Sequence, residues 1–482
     1  MSEHLVKNTA FMTIASVGQK LIAFVYFLFL ARVMMPERTG IFFLVTSIIT
    51  MFSVLTDLGL TSVVIREIAK HTDDIERIVH RAVGLKLLLT ILAVTIVFVA
   101  SFLFHYDSQI TKLIWVTIVV MVLDAFALLC YGILRGSQQL RYEAAGILMG
   151  QSVTILIGTI SLIVHPDVVW LIIALIGGSL TNFVVAMIQV VRRYGLQMFF
   201  PEWNKRAMWT LLKIMTPFAL AGIFTKVYST LDVVLISKLL DTAAVGIYSV
   251  AFKFTYAFQF LPLSFSAALY PSLSSTIESN KDATAKTFSR AVWYILLIAT
   301  PIVFGVWLVA PEMVRLTGHG YLQSTAVLRA LIFVLFPSFL EIPFGALLNA
   351  SDRQSSRMKI LGAAMIVNAV LDVLLIPVFG LIGAVIGSIS SYSVMIIIEM
   401  ILVTRFLPNI FNKHFLRTIV GVFASGLVML GVGLFLKPKL HWFILVPCVA
   451  FVYLLSLHVT RSIVKQDLVA LRSIFRKSQK FV

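Results

Sequence analysis

Residues 18–42, GQKLIAFVYFLFLARVMMPERTGIF, and residues 224–248, FTKVYSTLDVVLISKLLDTAAVGIY, align with each other without a gap. The alignment pairs similar residues at the same positions: Lys20 with Lys226, Arg32 with Lys238, and Gly40 with Gly246. Each copy is an apolar segment with a lysine near its middle, a basic residue at its end, a short loop, and a glycine that begins the next apolar segment. This shared order predicts an internal repeat, and therefore a chain built from two related halves.

Apolar residues dominate the whole chain, which has 482 residues, of which 60% are hydrophobic and 13% are charged. Runs of about 20 apolar residues follow one another almost to the end, and a helix of that length spans a bilayer. We predict an all-α integral membrane protein with about fourteen transmembrane helices. The predicted spans lie near residues 8–31, 39–65, 82–104, 110–133, 144–164, 168–191, 209–236, 243–271, 288–310, 326–349, 359–378, 382–404, 415–436 and 441–460. The first span is too long for the apolar region of a signal peptide, so we expect it to remain as a membrane helix.

The formal net charge of +17 is distributed unevenly along the chain. With the N-terminus in the cytoplasm, about 28 of the lysines and arginines fall on the cytoplasmic side and about 7 fall outside. The opposite orientation would invert this roughly fourfold bias, so we predict that both termini are cytoplasmic. The excess positive charge is then a signal of membrane orientation, and we expect no nucleic-acid partner.

The repeat divides the chain at a basic cytoplasmic loop, RRYGLQMFFPEWNKR, over residues 192–206. Six spans, an even number, separate the two copies, so both copies begin on the cytoplasmic side and the repeat is parallel. We therefore predict two pseudo-symmetric six-helix lobes, residues 1–200 and 201–405. Two additional transmembrane helices follow within residues 406–461. Residues 462–482 form a basic amphipathic cytoplasmic tail, which is typical of a helix that lies on anionic lipid.

Lysines within two of the predicted spans are the first candidates for a functional site. A lysine at the centre of a membrane helix costs about 2.5–3.5 kcal/mol, so it faces a bundle interior or a watery cavity rather than lipid. In transporters built from repeats, the substrate site lies near the midplane between the repeats. We therefore predict that Lys20 and Lys226 line one shared cationic cavity. The alternative is that each lysine pairs with a carboxylate of its own lobe, Asp57 or Asp124 for Lys20 and Asp232 for Lys226.

A third lysine, Lys253, lies among aromatic residues about a third of the way along the eighth predicted span. It faces the same cavity, or it extends toward the outer interface with its stem on aromatic surface. Several carboxylates also lie inside predicted spans, namely Asp57, Asp124, Asp232, Asp372 and Glu341. Each of them carries a coupling ion or neutralises a lysine.

Neither a metal site nor a cofactor site is indicated by the pattern of cysteines and histidines. Both cysteines, Cys130 and Cys448, fall inside predicted spans, where a small polarizable core residue is expected. The nine histidines are scattered and show no metal-ligand spacing. We expect no bound metal and no cofactor.

Four stretches of the chain resemble a known family. They are LTDLGLTSVVIREIAKH at 55–71, TPFALAGIFTKVYSTLDVVLISKLLDTAAVGIYSVAFKF at 216–254 continued by LPLSFSAALYPSLS at 261–274, PEMVRLTGHGYLQSTAVLRAL at 311–331 and NAVLDVLLIPVFGLIGAVIGSISSY at 368–392. In their order and spacing they resemble the oligosaccharide (Wzx-type, O-antigen-like) flippases of the multidrug/oligosaccharidyl-lipid/polysaccharide exporter superfamily. The resemblance covers most of the chain up to about residue 405.

The resemblance implies a V-shaped pair of six-helix lobes that works by alternating access. It implies a polyprenyl-diphosphate-linked oligosaccharide as substrate, for example on undecaprenyl diphosphate, which crosses from the cytoplasmic to the outer leaflet of a bacterial or other prokaryotic cytoplasmic membrane. The matching positions for the family's cationic cavity are Lys20, Lys226 and Lys253, and lysine binds phosphate as a point charge. Membrane lipids, and possible polysaccharide polymerase or assembly proteins, are the implied partners. The cavity cations are lysines without the run of arginines found in some flippases of peptidoglycan precursors, which argues against that substrate.

Two other functions compete with flipping. An ion-coupled multidrug antiporter of the same superfamily would share the fold, but we would expect it to present an acidic cavity to a cationic drug. A polytopic enzyme acting on lipid-linked sugars needs a sizeable extramembrane segment for its catalytic groups. The longest predicted outer loop, residues 311–325, has only about 15 residues. The sequence therefore favours a transporter that is not an enzyme.

We expect the double variant Lys20→Ala/Lys226→Ala to insert and fold but to lose transport, because the two paired lysines are predicted to supply the positive charge that a diphosphate needs at the midplane. Transport is measured in cells, and insertion is measured by quantifying the protein in isolated membranes. Normal transport by the double variant would show that these lysines are structural.

Overall fold

The computed structural model describes residues 3–71, 74–408, 410 and 413–462. Helices and short 3₁₀ turns are the regular elements of these residues, and no strand occurs among them. The prediction of an all-α, multi-pass membrane protein is confirmed. The predicted basic tail lies outside the described residues beyond position 462.

Sixteen helices form in the described ranges, and most of them run through the apolar segments identified in the sequence. In chain order they are α1 (Glu3–Ser53), α2 (Leu60–Lys70), α3 (Ile75–Leu103), α4 (Ser108–Gly136), α5 (Leu140–Val164), α6 (Val168–Tyr194), α7 (Lys205–Leu239), α8 (Thr242–Tyr256), α9 (Phe260–Ser274), α10 (Lys281–Arg315), α11 (Ser324–Leu331), α12 (Leu335–Ala350), α13 (Gln354–Phe379), α14 (Leu381–Phe406), α15 (Lys413–Leu436) and α16 (Trp442–Val459). Hydrocarbon offers the backbone no hydrogen-bond partner, and a helix satisfies its own peptide groups.

Twelve helical segments in the described chain are long and apolar enough to cross a membrane. The first, Gly18–Thr56, contains parts of two predicted spans, because two helical stretches meet there at a kink at Met35. Met35 has a φ of 60°, in the left-handed region, and Pro36 follows it without a backbone N–H. The predicted eighth span is divided into α8 and α9 by a 3₁₀ turn, Ala257–Gln259. These two features account for the difference between twelve segments and the predicted fourteen.

The chain forms two compact units, which differ from the predicted lobes. The first contains Met1–Lys253, Leu316–Tyr321 and Met365–Gly387; the second contains Phe254–Arg315, Leu322–Ala364 and Ser388–Val482. The lobe boundary near residue 200 stays a prediction.

Each unit has a hydrophobic core of its own. In the first unit the core is contributed mainly by α2, α3, α4 and α6, with Leu60, Ile133 and Val190 among its fully buried residues. In the second unit it is contributed mainly by α9, α10, α12, α14, α15 and α16, and Phe288 and Phe344 pack edge-to-face in it with 5.0 Å between ring centroids.

The two glycines of the repeat lie in close backbone contact within the first unit. A Cβ atom at Gly40 would overlap the carbonyl oxygen of Thr242, and a Cβ atom at Gly246 would overlap the carbonyl oxygen of Pro36. In the repeat alignment Pro36 stands opposite Thr242, so the glycine of each copy packs on the same position of the other copy. Reciprocal contacts of this form are those that a two-fold axis generates.

A segment from much later in the chain packs on the same turn of the first unit. The Tyr321 hydroxyl donates a hydrogen bond of 2.8 Å to the Thr39 hydroxyl oxygen, and both side chains are fully buried. A Cβ atom at Gly320 would lie 3.0 Å from Cδ of Pro36. Residues 316–321 therefore extend the reciprocal glycine contact into a packed junction.

We expect Gly40→Ala to lower the free energy of unfolding by about 1–3 kcal/mol, because the added methyl group would force two backbones apart. Gly431→Ala is the matched control, since nothing lies within 4 Å of a Cβ atom there. The measurement is the thermal unfolding midpoint of the purified protein in detergent. Equal midpoints for the two variants would contradict the close contact.

Candidate functional site

A cavity of about 310 Å³ lies within the first unit, between α1, α4, α5, α6 and α8. Most of its polar lining consists of amides and hydroxyls, with one carboxylate and one ammonium group: Gln19, Asp124, Gln151, Thr154, Ser179, Asn182 and Lys253. Aromatic rings contribute the rest of one wall: Tyr26, Phe27, Phe42 and Phe43. The cavity therefore combines uncharged hydrogen-bonding groups with one positive and one negative charge.

Lys253 supplies the positive charge of this cavity. Its side chain is exposed, and its Nζ atom lies 5.2 Å from the centroid of the Phe43 ring, where cation–π attraction is favourable. None of the ion pairs of the described chain includes Lys253. Lys253 lines the cavity of the first unit, and whether it also faces a cavity shared with Lys20 and Lys226 stays a prediction.

Asp124 supplies the negative charge. Its carboxyl group lies beside the Ser179 hydroxyl, and both side chains line the cavity. The structure therefore brings Asp124 and Lys253 to one cavity without an ion pair between them.

Lys20 and Lys226 are not among the residues that line the cavity. Lys20 directly follows the lining residue Gln19 on α1 and is exposed, whereas Lys226 on α7 is half-buried. Neither lysine takes part in the ion pairs of the described ranges. A shared cationic cavity for these two lysines stays a prediction.

Asp57 forms an ion pair with a residue that the sequence analysis missed. Lys86 of α3 is fully buried, and its Nζ atom lies 3.1 Å from Oδ1 of Asp57, which also accepts a hydrogen bond from the Thr61 hydroxyl. The partner of Asp57 is therefore Lys86 and not Lys20. The available signal was the isolated lysine in the apolar run RAVGLKLLLT of residues 81–90, because a lysine inside a membrane helix needs a counter-charge or water.

Asp232 and Asp372 lie next to each other in the first unit. The Tyr248 hydroxyl donates a hydrogen bond of 2.6 Å to Oδ2 of Asp232. Asn368, one helical turn before Asp372 on α13, is 1% exposed, and Asp372 is fully buried. Among the described residues, the Asn368 amide has no hydrogen-bond partner, and the Asp372 carboxyl interacts with the carboxyl of Asp232. Two neighbouring carboxylates repel each other unless a proton or a cation lies between them.

The second unit contains a separate cluster of charges. Arg357 and Glu341 form an ion pair, and Glu399 interacts electrostatically with both. Arg357 and Glu341 line a cavity of about 380 Å³ together with Tyr270 and Asn349. Glu341 thus neutralises an arginine instead of a lysine.

Two family sequence profiles match the chain. The profile described as "Polysaccharide biosynthesis protein" matches residues 5–277, and the MatE profile matches residues 217–374. The first match covers more than half of the 482 residues.

Curated relatives include two archaeal proteins from Haloferax volcanii. The probable flippase AglR is 28% identical over 240 residues, which is 49% of each chain, so the match spans about half the length of that relative. The probable low-salt glycan biosynthesis flippase Agl15 is 22% identical over 436 residues, which is 89% of each chain.

Solved structures share the fold. The lipid II flippase MurJ in an inward closed conformation superimposes with a TM-score of 0.79 at 13% identity and covers 95% of this chain and 100% of its own. An inward-facing multidrug resistance MATE family transporter of the MOP superfamily superimposes with a TM-score of 0.67 at 14% identity, over 81% of this chain and 96% of its own. The relatives are named as flippases and transporters, not as enzymes. Because the first profile match covers more than half of its residues, the chain belongs to the family described as "Polysaccharide biosynthesis protein".

Proposed function

We propose that this protein flips a polyprenyl-diphosphate-linked oligosaccharide from the cytoplasmic to the outer leaflet of a prokaryotic cytoplasmic membrane, for the synthesis of cell-surface polysaccharide. The observation that carries the proposal is the cavity of the first unit, where Lys253 has no carboxylate partner among the described residues and uncharged amides surround it. The family profile and the names of the archaeal relatives support the same substrate class.

Lys253 binds the diphosphate in this proposal. An ammonium group attracts phosphate as a point charge. Because no carboxylate of the described residues forms an ion pair with Lys253, its charge is available to the substrate. Lys20 and Lys226 add positive charge along the path as the two predicted lobes alternate between inward and outward access.

Asp232, Asp372 and Asn368 hold the coupling cation in this proposal. The two neighbouring carboxyl groups supply negative charge, and the unpartnered Asn368 amide supplies a neutral oxygen ligand or a hydrogen bond. A proton or a sodium ion at this position would relieve the repulsion between the carboxylates. We assign no coupling role to Asp57, because its carboxylate forms an ion pair with Lys86.

An ion-coupled multidrug antiporter is the second candidate function. One observation favours it: the exposed carboxylate of Asp124 lines the same cavity and would attract a cationic drug. The match of residues 217–374 to the MatE profile points in the same direction.

Deletion of the gene is expected to cause accumulation of a complete diphosphate-linked oligosaccharide, because the block falls after assembly of the lipid-linked unit. Mass spectrometry of extracted lipids measures it. Complementation with Lys253→Gln should fail, and Lys253→Arg should restore partial flux because it keeps the charge. Absence of any lipid intermediate, together with new drug sensitivity, would overturn flipping in favour of the antiporter.

Asp372→Asn is expected to abolish gradient-driven transport in proteoliposomes while substrate binding is retained, because the amide removes a charge that the cation needs. Asp232→Asn/Asp372→Asn should be no worse than Asp372→Asn alone, since both residues act on one ion. Asp282→Asn, an exposed position in the first turn of α10, is the matched control. Full gradient-driven transport by Asp372→Asn would exclude the pair from coupling.

A further inference from the structure

Three amide side chains converge on the cavity that contains Lys253: Gln19 from α1, Gln151 from α5 and Asn182 from α6. Gln19 and Gln151 make no side-chain hydrogen bond within the described part of the chain, although each carries two donors and an acceptor. Side chains of this kind in a concave site normally bind a partner of their own.

The orientation of the third amide is determined by its neighbour. The Tyr131 hydroxyl donates a hydrogen bond of 2.5 Å to Oδ1 of Asn182. Because Oδ1 is occupied, the Nδ2 group of Asn182 remains as a donor for the cavity. Asn182 is therefore held ready to donate to an acceptor oxygen.

Glycines bring these amides close together. A Cβ atom at Gly150 would lie 2.7 Å from the carbonyl oxygen of Gly178 and 3.0 Å from Cβ of Asn182. α5 and α6 therefore approach backbone to backbone beside the cavity, which places Gln151 and Asn182 on opposite sides of a narrow contact. Side chains that project from rigid, closely packed helices hold a ligand more precisely than side chains on loops.

The geometry points to a sugar subsite formed by Gln19, Gln151 and Asn182, an inference that rests on the proposed function. These amides bind hydroxyl or acylamino groups of the first sugar of the substrate, whose diphosphate is bound by Lys253. Amides offer both donors and acceptors, as sugar hydroxyls require, whereas a lipid tail would leave Gln19, Gln151 and the Nδ2 group of Asn182 without hydrogen bonds.

The size of the cavity and its aromatic wall agree with one sugar. A volume of about 310 Å³ lies at the low end of the roughly 300–1,000 Å³ of ligand pockets, so it accommodates only a small part of an oligosaccharide. The rings of Phe27 and Phe43, 5.8 Å apart and edge-to-face, present an apolar surface for the carbon-bound hydrogens of the sugar ring. Asp124 supplies a further acceptor for a hydroxyl group.

The test uses the purified full-length protein in nanodiscs with two probes, undecaprenyl diphosphate and undecaprenyl-diphosphate-N-acetylglucosamine. We expect Gln151→Leu and Gln19→Leu each to weaken binding of the sugar-bearing probe about 5- to 10-fold, since each removes hydrogen bonds to the sugar. Binding of undecaprenyl diphosphate should stay unchanged in both variants. Gln354→Leu, at an exposed position on α13, is the matched control and should leave both affinities unchanged.

The outcomes separate the subsite from the proposed function. Lys253→Gln should weaken the binding of both probes, because it removes the charge that binds the diphosphate. If wild-type protein binds both probes with equal affinity and neither glutamine variant alters binding, the sugar subsite is wrong while flipping stands. If neither probe binds wild-type protein, the proposed function and the subsite are both overturned.

Discussion

A charged group inside a membrane helix must meet an opposite charge or face water, and this constraint organises the polar residues of the protein. Asp57 and Lys86 satisfy it by pairing with each other, with Lys86 fully buried. Lys253 satisfies it by facing a cavity. Asp232 and Asp372 lie side by side, an arrangement that calls for a cation or a shared proton. Asp57 and Lys86 thus form a structural ion pair, whereas the Lys253 cavity and the neighbouring carboxyls of Asp232 and Asp372 are two candidate functional sites.

The ion pair between Asp57 and Lys86 affects the candidate site because it neutralises a carboxylate that could otherwise pair with another lysine or bind an ion. Removal of one partner from a buried ion pair leaves an uncompensated charge and costs about 3–5 kcal/mol, so Asp57 and Lys86 stay together. Asp57 is then unavailable to Lys20 or to an ion. Lys253 meanwhile has no such partner in the described ranges, which leaves its charge available to the anionic substrate that we propose.

Close backbone contacts, made possible by glycine, determine where the helices of the first unit meet. Gly40 and Gly246 bring the two copies of the repeat together in a reciprocal contact, and Gly150 does the same for the helices that present the cavity amides. Members of one superfold bind different substrates because side chains differ on a shared helical frame. Here the frame resembles both a lipid II flippase and a MATE transporter, whereas the cavity has its own set of amides, Asp124 and Lys253.

The sequence alone determined the class of the protein: apolar runs of membrane-spanning length, the charge bias between the two sides and the repeat around Lys20 and Lys226 are local patterns that need no knowledge of packing. Tertiary structure decided what those patterns leave open. The kink at Met35, the pairing of Asp57 with Lys86 and the three amides beside Lys253 depend on which helix faces lie opposite each other. These features bring together residues that are far apart in the chain, such as Gln19 and Asn182. Hydropathy cannot predict such contacts, because it records how apolar a segment is and not which segment packs against it.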